Sequence, residues 1–304
     1  MLIAIDHGNK NIKTKHRTFT AGLLASDYAS YGGETIKFAG QYYTLTDRRG
    51  GYRRDKTEDE DYYVLTLFAL AYEIEACGAY EPDAYIEADL AVGVQPTDYG
   101  MLAERYKAYF AKNEYVDFEK DGKPYHAWIR SVSVYVQGWA ALMPRFAAVK
   151  DEGKATLIDV GGYTAIYMVL HNGQPDFAAC EALDNGMLFL YRRVINKVKN
   201  ACDTILDEQT IDSVLRGDRS GLPWEIADMV EKEAARFVAD LLNRLRENGV
   251  DLKTGLTCFA GGGAILLQKY IEAHGDKIFR PYFIGDISAN VQGYEYLFQI
   301  ENEG

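Results

Sequence analysis

The feature that most constrains this chain is an internal repeat. Ile3-Ala4-Ile5-Asp6-His7-Gly8 and Thr156-Leu157-Ile158-Asp159-Val160-Gly161 lie 153 residues apart in a sequence of 304. Each is an apolar run ending in Asp-x-Gly, each turns straight into a second strand-like run, and each opens one half of the chain. Glycine in such a turn lets backbone N–H groups approach an anion closely. Two hairpins facing each other would grip a polyphosphate from both sides, with each Asp directed towards a metal ion. Magnesium on nucleotide phosphates takes oxygen ligands and keeps several waters, which suits a pair of carboxylates. Taken singly, an Asp-x-Gly turn is more often an ordinary hairpin whose Asp caps its own turn.

A length of 304 residues corresponds to about two domains at roughly 150 residues each. Apolar types make up 48% and charged types 26%, which excludes a disordered, collagenous or simple coiled-coil chain. The net charge of −12 disfavours direct contact with nucleic acid and with anionic membranes. The longest apolar stretch, Val64 to Tyr72, is far short of the roughly 20 residues that span a bilayer. Its N-terminus has no charged segment followed by an apolar one, so a cytoplasmic location without a membrane partner is expected. The four cysteines occur singly with no CxxC, and the five histidines show no ligand spacing, so neither a disulfide framework nor a structural zinc site is expected. The 23 tyrosines suit half-buried strand positions.

The first fifty residues read as meandering β structure: Leu2 to Asp6, a turn through His7, Gly8 and Asn9, a run from Asn11, and Glu34 to Leu45 broken at Ala39-Gly40-Gln41. Thr57 with Glu60 predicts a capping box opening a helix that runs to about Cys77. The basic residues Arg48, Arg49, Arg53, Arg54 and Lys56, beside the acidic run 58 to 61, read as a solvated loop. Beyond it come a strand over Tyr85 to Val94, a helix over Tyr99 to Lys112, a hairpin turning at Lys120-Asp121-Gly122, a strand over Ser131 to Val136 and a helix over Gly138 to Phe146. In the second half, strands are expected at Ala155 to Asp159, Thr164 to Leu170, Leu256 to Ala260 and Tyr282 to Ile284. Helices are expected at Met187 to Asn200, Glu208 to Arg216, Trp224 to Asn248, Ala264 to His274 and Ala289 to Ile300. Phe259 to Ala264 thus reads as a strand, three glycines and a helix start, where backbone can lie flat against a nucleotide or an anion can meet a helix N-terminus. It is not a Rossmann fingerprint, and there is no GxxxxGK[ST].

The order of these motifs resembles the actin-like superfamily, most closely bacterial actin-like ATPases of the ParM (StbA) and Alp type. Asp6-His7-Gly8-Asn9-Lys10-Asn11-Ile12-Lys13 is similar to the first phosphate motif, DxGxxNxK. Val134-Tyr135-Val136-Gln137-Gly138 is similar to the first connecting segment, and Asp159-Val160-Gly161-Gly162-Tyr163-Thr164 to the second phosphate motif. Gly261-Gly262-Gly263-Ala264 is similar to the adenosine motif, and Asn290-Val291-Gln292-Gly293 to the second connector.

The resemblance implies an α/β, two-lobe actin-like fold of duplicated ribonuclease H-like domains with a nucleotide cleft between them. The domains would be 1–142 plus 288–304, and 143–287. It implies ATP, or GTP, with magnesium held through water by Asp6 and Asp159. Gly8, Asn9, Asn11, Lys13, Gly161, Gly162, Tyr163, Thr164, Gly261, Gly262 and Gly263 would contact the nucleotide. Gln137 would orient the attacking water, or else would cap the helix that follows it. Slow hydrolysis would time a filament of this chain that segregates plasmid or mobile-element DNA through a DNA-bound adaptor protein. A nucleotide-dependent scaffold and a small-molecule kinase of the same superfamily are the alternatives. Three positions depart from the pattern: Ile166 stands where an Asp is frequent, Val136 where a Pro is, and His7 is unusual, either a phosphate or metal neighbour or a structural turn histidine.

Overall fold

The computed structural model describes residues 1–303. The chain forms two compact units, Met1–Pro144 together with the C-terminal segment from Ser288, and Arg145–Ile287. In chain order the first unit contributes β1 (Leu2–His7), β2 (Asn11–Lys13), β3 (Thr18–Thr20), β4 (Leu23–Ser26), β5 (Thr35–Phe38) and β6 (Gln41–Leu45). These are followed by α1 (Asp61–Ala76), β7 (Ile86–Val94), α2 (Tyr99–Phe110), β8 (Tyr115–Lys120), β9 (Lys123–Val136) and α3 (Trp139–Leu142). The second unit holds β10 (Ala155–Val160), β11 (Ala165–His171), β12 (Gln174–Leu183), α4 (Met187–Cys202), α5 (Glu208–Leu215), α6 (Trp224–Glu247), β13 (Leu256–Ala260), α7 (Gly261–Glu272) and β14 (Arg280–Phe283). The chain then returns to the first unit with α8 (Ala289–Glu303).

The repeat in the sequence is a repeat in topology. The first unit's nine-stranded sheet runs β3-β2-β1-β7-β9-β8-β5-β6-β4, and the second unit's five-stranded sheet runs β12-β11-β10-β13-β14. In each, an antiparallel three-strand meander opens the unit, and its first strand pairs in parallel with a later one, β1 with β7 and β10 with β13. The parallel strands are buried and read as near-continuous apolar runs, as strands covered on both faces must. In the first unit, α1 is buried without a break from Tyr62 to Ile74. In the second, the buried faces of α4 and α6 pack on one core with β10 and β13.

Several elements differ from the sequence reading. The capping box does not form: Asp55 Oδ1 takes both the N–H (2.9 Å) and the hydroxyl (2.6 Å) of Thr57, and α1 starts only at Asp61 with no side-chain cap. β9 is one strand of 14 residues rather than two segments, bent at a register shift against β7 between Ala88 and Asp89. The helix expected over Gly138 to Phe146 is the short α3 followed by a 3-10 segment, Met143–Ala148. β3, β4 and β12 had no counterpart in the sequence reading. The hairpin expected at Lys120-Asp121-Gly122 forms, but Lys120 is still paired with Lys123, so the turn is the two residues Asp121 and Gly122, both at positive φ (51° and 78°).

α8 docks on the first unit because two positions lack side chains. A Cβ on Gly93 of β7 would lie 1.8 Å from the Tyr294 hydroxyl, and one on Gly293 would lie 1.9 Å from the Ala140 carbonyl oxygen of α3. Tyr294 and Val291 thereby fill an apolar cluster with Ala4, Ala91, Tyr135 and Ala140. Among the described residues no helix is long and apolar enough to cross a membrane.

Candidate nucleotide site

In the first unit the site grows from the β1–β2 hairpin. Asp6 and Lys13 face each other in register, which brings Lys13 Nζ to 3.3 Å from Asp6 Oδ2. The turn between them is tight: the Gly8 N–H donates to the Asp6 carbonyl (3.0 Å), and a Cβ on Gly8 would sit 2.5 Å from the Asn11 carbonyl oxygen. The glycine is therefore required by the turn itself. Gln137 arrives at the end of β9, where its N–H donates to the Val94 carbonyl (2.9 Å) and Gly138, at φ 76°, turns the chain away. Its Nε2 then donates to Asp6 Oδ1 (2.9 Å). A carboxylate only accepts, so this contact fixes the amide orientation and leaves Gln137 Oε1 as the acceptor end. The helix that follows is not capped by Gln137; Gly138 holds the cap position, and its N–H donates to Asn290 Oδ1 (2.8 Å) of α8. The two connecting segments are thus hydrogen-bonded to each other within this unit.

Asp6 is 3% exposed. Burial alone would push its carboxyl up, but the charges of Lys13 and Lys56 and the Lys13 hydrogen bond outweigh burial and hold it below the usual carboxylate range. Lys56 corrects the sequence reading. It lies in no solvated loop but is 5% exposed, with its ammonium donating to the His7 carbonyl. Burial, partly offset by Asp6 and Asp98, lowers it to about 8. Other residues of that basic run are also committed: Arg53 pairs with Asp59 and Asp61, and Arg54 with Asp98.

His7 is structural. Its ring is fully buried and stacked on Phe110 at 4.6 Å between centroids. The Thr66 hydroxyl donates to the Tyr62 carbonyl (2.8 Å), so it must accept from His7 Nε2 (2.8 Å), which assigns the proton to Nε2. Burial and the Lys56 charge lower His7 to about 3, so the ring is neutral. Asn9 also serves the scaffold: its Oδ1 accepts from the Arg53 N–H (2.9 Å) and from the Tyr62 hydroxyl (3.1 Å). Asn11 opens β2, paired with Thr20.

In the second unit the corresponding turn joins β10 to β11. Gly161 N–H donates to the Thr164 carbonyl (2.9 Å), closing the turn. The carbonyls of Gly161, Gly162 and Tyr163 accept from the backbone N–H groups of Met187, Leu188 and Gly186 (3.0, 2.8 and 3.0 Å), so the turn is seated on the start of α4. Gly186 permits this, since a Cβ there would lie 2.3 Å from the Tyr163 carbonyl carbon. Asp159, 9% exposed, sits beside Ala260 of β13, and at the next position Gly261 adopts φ 86° with its missing Cβ 2.2 Å from Asp159 Oδ1. A Cβ on Gly263 would meet Val160 Cγ1 at 2.6 Å and Met187 Cγ at 2.8 Å. Gly262 alone of the three faces open space, with nothing within 4 Å of its Cβ position. These glycines form the first turn of α7, rather than a loop before a helix starting at Ala264. Ile166 pairs directly opposite Asp159.

No protein-family model matches the chain, and no curated protein matches it significantly. Solved structures do. The archaeal actin homolog Ta0583 superposes with a TM-score of 0.75 at 14% identity, covering 98% of this chain and 99% of that one. The chain has the actin-like fold. Bacillus thuringiensis ParM, solved with ATP, superposes with a TM-score of 0.70 at 10% identity over 100% of this chain and 99% of its own. An Alp12 filament structure gives a TM-score of 0.68 at 14% identity over 100% and 99%.

Within the actin-like fold the structure brings Asp6, Lys13 and Gln137 together in one unit, and Asp159, the Gly161–Thr164 turn and Gly261–Gly263 together in the other. Each unit thus carries one carboxylate of the hard oxygen type that hydrated magnesium takes, and Asp6 is held ionised. Sequence reasoning missed Lys56, Gly186 and the Asn290–Gly138 link. For Gly186 a signal existed, a glycine just before an apolar helix start. For Lys56 there was none.

Proposed function

We propose that the protein is an ATPase that polymerises, with slow hydrolysis timing the life of its filaments. The observation that carries this reading is the Asp6–Lys13–Gln137 constellation, a buried carboxylate that fixes both a cation and an oriented amide. In this reading Asp6 and Asp159 hold the waters of a magnesium ion on the phosphates of ATP, or of GTP. Magnesium, when bound, supplies charge neutralisation on those phosphates. Lys13 and the amides of the two turns offset charge developing on the γ-phosphoryl oxygens, and Gln137 Oε1 accepts from the attacking water and sets its line of approach. An amide is no strong base, so turnover is slow. The exposed face of Gly262 admits the rest of the nucleotide against bare backbone.

Ta0583 has also been solved in complex with ADP, and ParM with ATP. These relatives in fold, and the Alp12 filament, support nucleotide binding and self-assembly here. Segregation of plasmid or mobile-element DNA through a DNA-bound adaptor is the role we propose for the filament, consistent with a net charge of −12 that disfavours direct DNA contact. Light scattering and sedimentation with magnesium-ATP, followed by electron microscopy, test this. A pelletable species above a critical concentration, with ADP raising that concentration, is expected. A chain that binds ATP yet stays monomeric at tens of micromolar would instead be a nucleotide-dependent scaffold, a reading that Ile166 opposite Asp159 favours.

A further inference from the structure

Away from the nucleotide residues, the fold assembles three side chains of different chemistry at the far end of α1. Glu73 and Cys77 are one helical turn apart, with the Cys77 N–H donating to the Glu73 carbonyl (3.0 Å). His16, in the turn between β2 and β3, approaches them across 57 residues of sequence. Its ring Nδ1 lies 2.7 Å from Glu73 Oε2, and its backbone N–H donates to Glu73 Oε1 (3.0 Å). The nearest donor atoms of His16, Glu73 and Cys77 all lie within 4.8 Å of one another.

We propose that His16, Glu73 and Cys77 form a zinc-binding site that ties the β2–β3 turn to the end of α1. The ligand types decide the ion. A thiolate and an imidazole select a borderline-soft cation such as zinc over magnesium or calcium, which take oxygen donors. One thiolate and one carboxylate neutralise a dication, which suits the 4% exposed Glu73. Glu73 is already oriented, because the His16 backbone N–H donates to Oε1, the kind of outer hydrogen bond that fixes a ligand, and this leaves Oε2 beside the ring nitrogen with which it would share the ion. Cys77 is exposed, which gives the ion an access path and leaves a fourth position to water.

The geometry needs little change. Zinc bonds of about 2.0–2.1 Å to nitrogen and oxygen and about 2.3 Å to sulfur at a tetrahedral angle separate the donors by about 3.3–3.6 Å, so the His16 ring must withdraw from Oε2 by roughly 0.6 Å and Cys77 Sγ, within 4.8 Å of both, must close by about 1 Å at most. Binding releases the Cys77 thiol proton to solvent and moves the imidazole proton from Nδ1 to Nε2, so affinity rises with pH. No spacing in the sequence marks the site, because His16 and Glu73, 57 residues apart, are brought together only by the fold.

Cobalt(II) titration of the untagged, chelator-treated full chain tests the site, since cobalt substitutes for zinc and reports a thiolate ligand by charge-transfer absorption. One equivalent with a thiolate band and tetrahedral d–d bands, bleached by zinc, is expected. Cys77→Ser should abolish the thiolate band, His16→Gln should weaken zinc binding by at least about tenfold, and Cys180→Ser should leave both unchanged. Zinc should also raise the thermal unfolding midpoint of the wild type and not of Cys77→Ser or His16→Gln. Absence of the thiolate band, its survival in Cys77→Ser, or equal zinc-induced shifts in all three proteins would overturn the proposal.

Discussion

Replacing Gln137 by Ala separates two functions that one amide performs. The structure shows Gln137 Nε2 bound to Asp6 Oδ1 at 2.9 Å with the residue 9% exposed. A hydrogen bond to a charged group is worth about 1.5–3 kcal/mol, so some loss of folding stability is expected. Asp6 keeps Lys13 at 3.3 Å and Lys56 nearby, so its charge survives, and with it the magnesium role proposed for it. What is lost outright is the Oε1 acceptor, to which the proposed function gives the orienting of the attacking water in the transition state. A loss of about 10- to 1000-fold in turnover corresponds to about 1.4–4 kcal/mol of barrier, the size expected for one positioning group. Phosphate release at saturating magnesium-ATP gives kcat, and calorimetry gives the affinity. kcat should fall by that factor with the dissociation constant changed by less than about fivefold, since a group acting only in the transition state leaves ground-state binding alone. Filaments of the variant should then outlive those of the wild type. Unchanged turnover with weakened binding would refute the water-positioning role and leave Gln137 as a support for Asp6.

Two substitutions in the glycine triplet should behave oppositely. Gly263→Ala places a Cβ 2.6 Å from Val160 Cγ1 and should cost about 1–3 kcal/mol in chemical denaturation. Gly262→Ala meets nothing within 4 Å and should leave stability near wild type while weakening ATP binding in calorimetry. For pH, His7 titrates near 6.5 when unfolded and near 3 when folded, so between these values the unfolded chain binds a proton that the native ring refuses. Stability should therefore fall with pH below about 6.5, by about 1.4 kcal/mol per unit from this group. Denaturation midpoints measured from pH 7 to 4 should show a shallower decline in His7→Gln, and an identical slope would contradict the assignment.

What was legible in the sequence was local and periodic. The Asp6 and Asp159 hairpins announce themselves because an apolar run, an Asp and a glycine turn are read within ten residues, and β7, β13 and α4 to α6 because their apolar residues are continuous in the strands and periodic in the helices. Short or exposed elements escaped: β3 has three residues, and β12 is an edge strand whose burial pattern is mostly exposed or intermediate. Thr57 misled because Asp55 competes for its hydroxyl and N–H, a contact two residues away that pre-empts the capping box. Lys56 escaped for a different reason. Its neighbours in sequence are mostly charged and at least partly exposed, and it is buried by groups distant in sequence, among them the His7 carbonyl 49 residues back. His16, Glu73 and Cys77 likewise meet only through the packing of the β2–β3 turn on α1.

The central claim, that Asp6 and Asp159 serve one magnesium-nucleotide, is tested most directly by a double-mutant cycle. The affinities of the wild type, Asp6→Asn, Asp159→Asn and the double variant for magnesium-ATP are measured by calorimetry, with Glu119→Ala as a surface control. Carboxylates that share one hydrated ion should be coupled, the double variant losing less affinity than the sum of the single losses by roughly 0.5–3 kcal/mol. Without magnesium the coupling should vanish, and Glu119→Ala should bind as the wild type does. Additive losses within about 0.5 kcal/mol, or affinities that neither substitution changes, would contradict a shared site and return both residues to the role of turn aspartates.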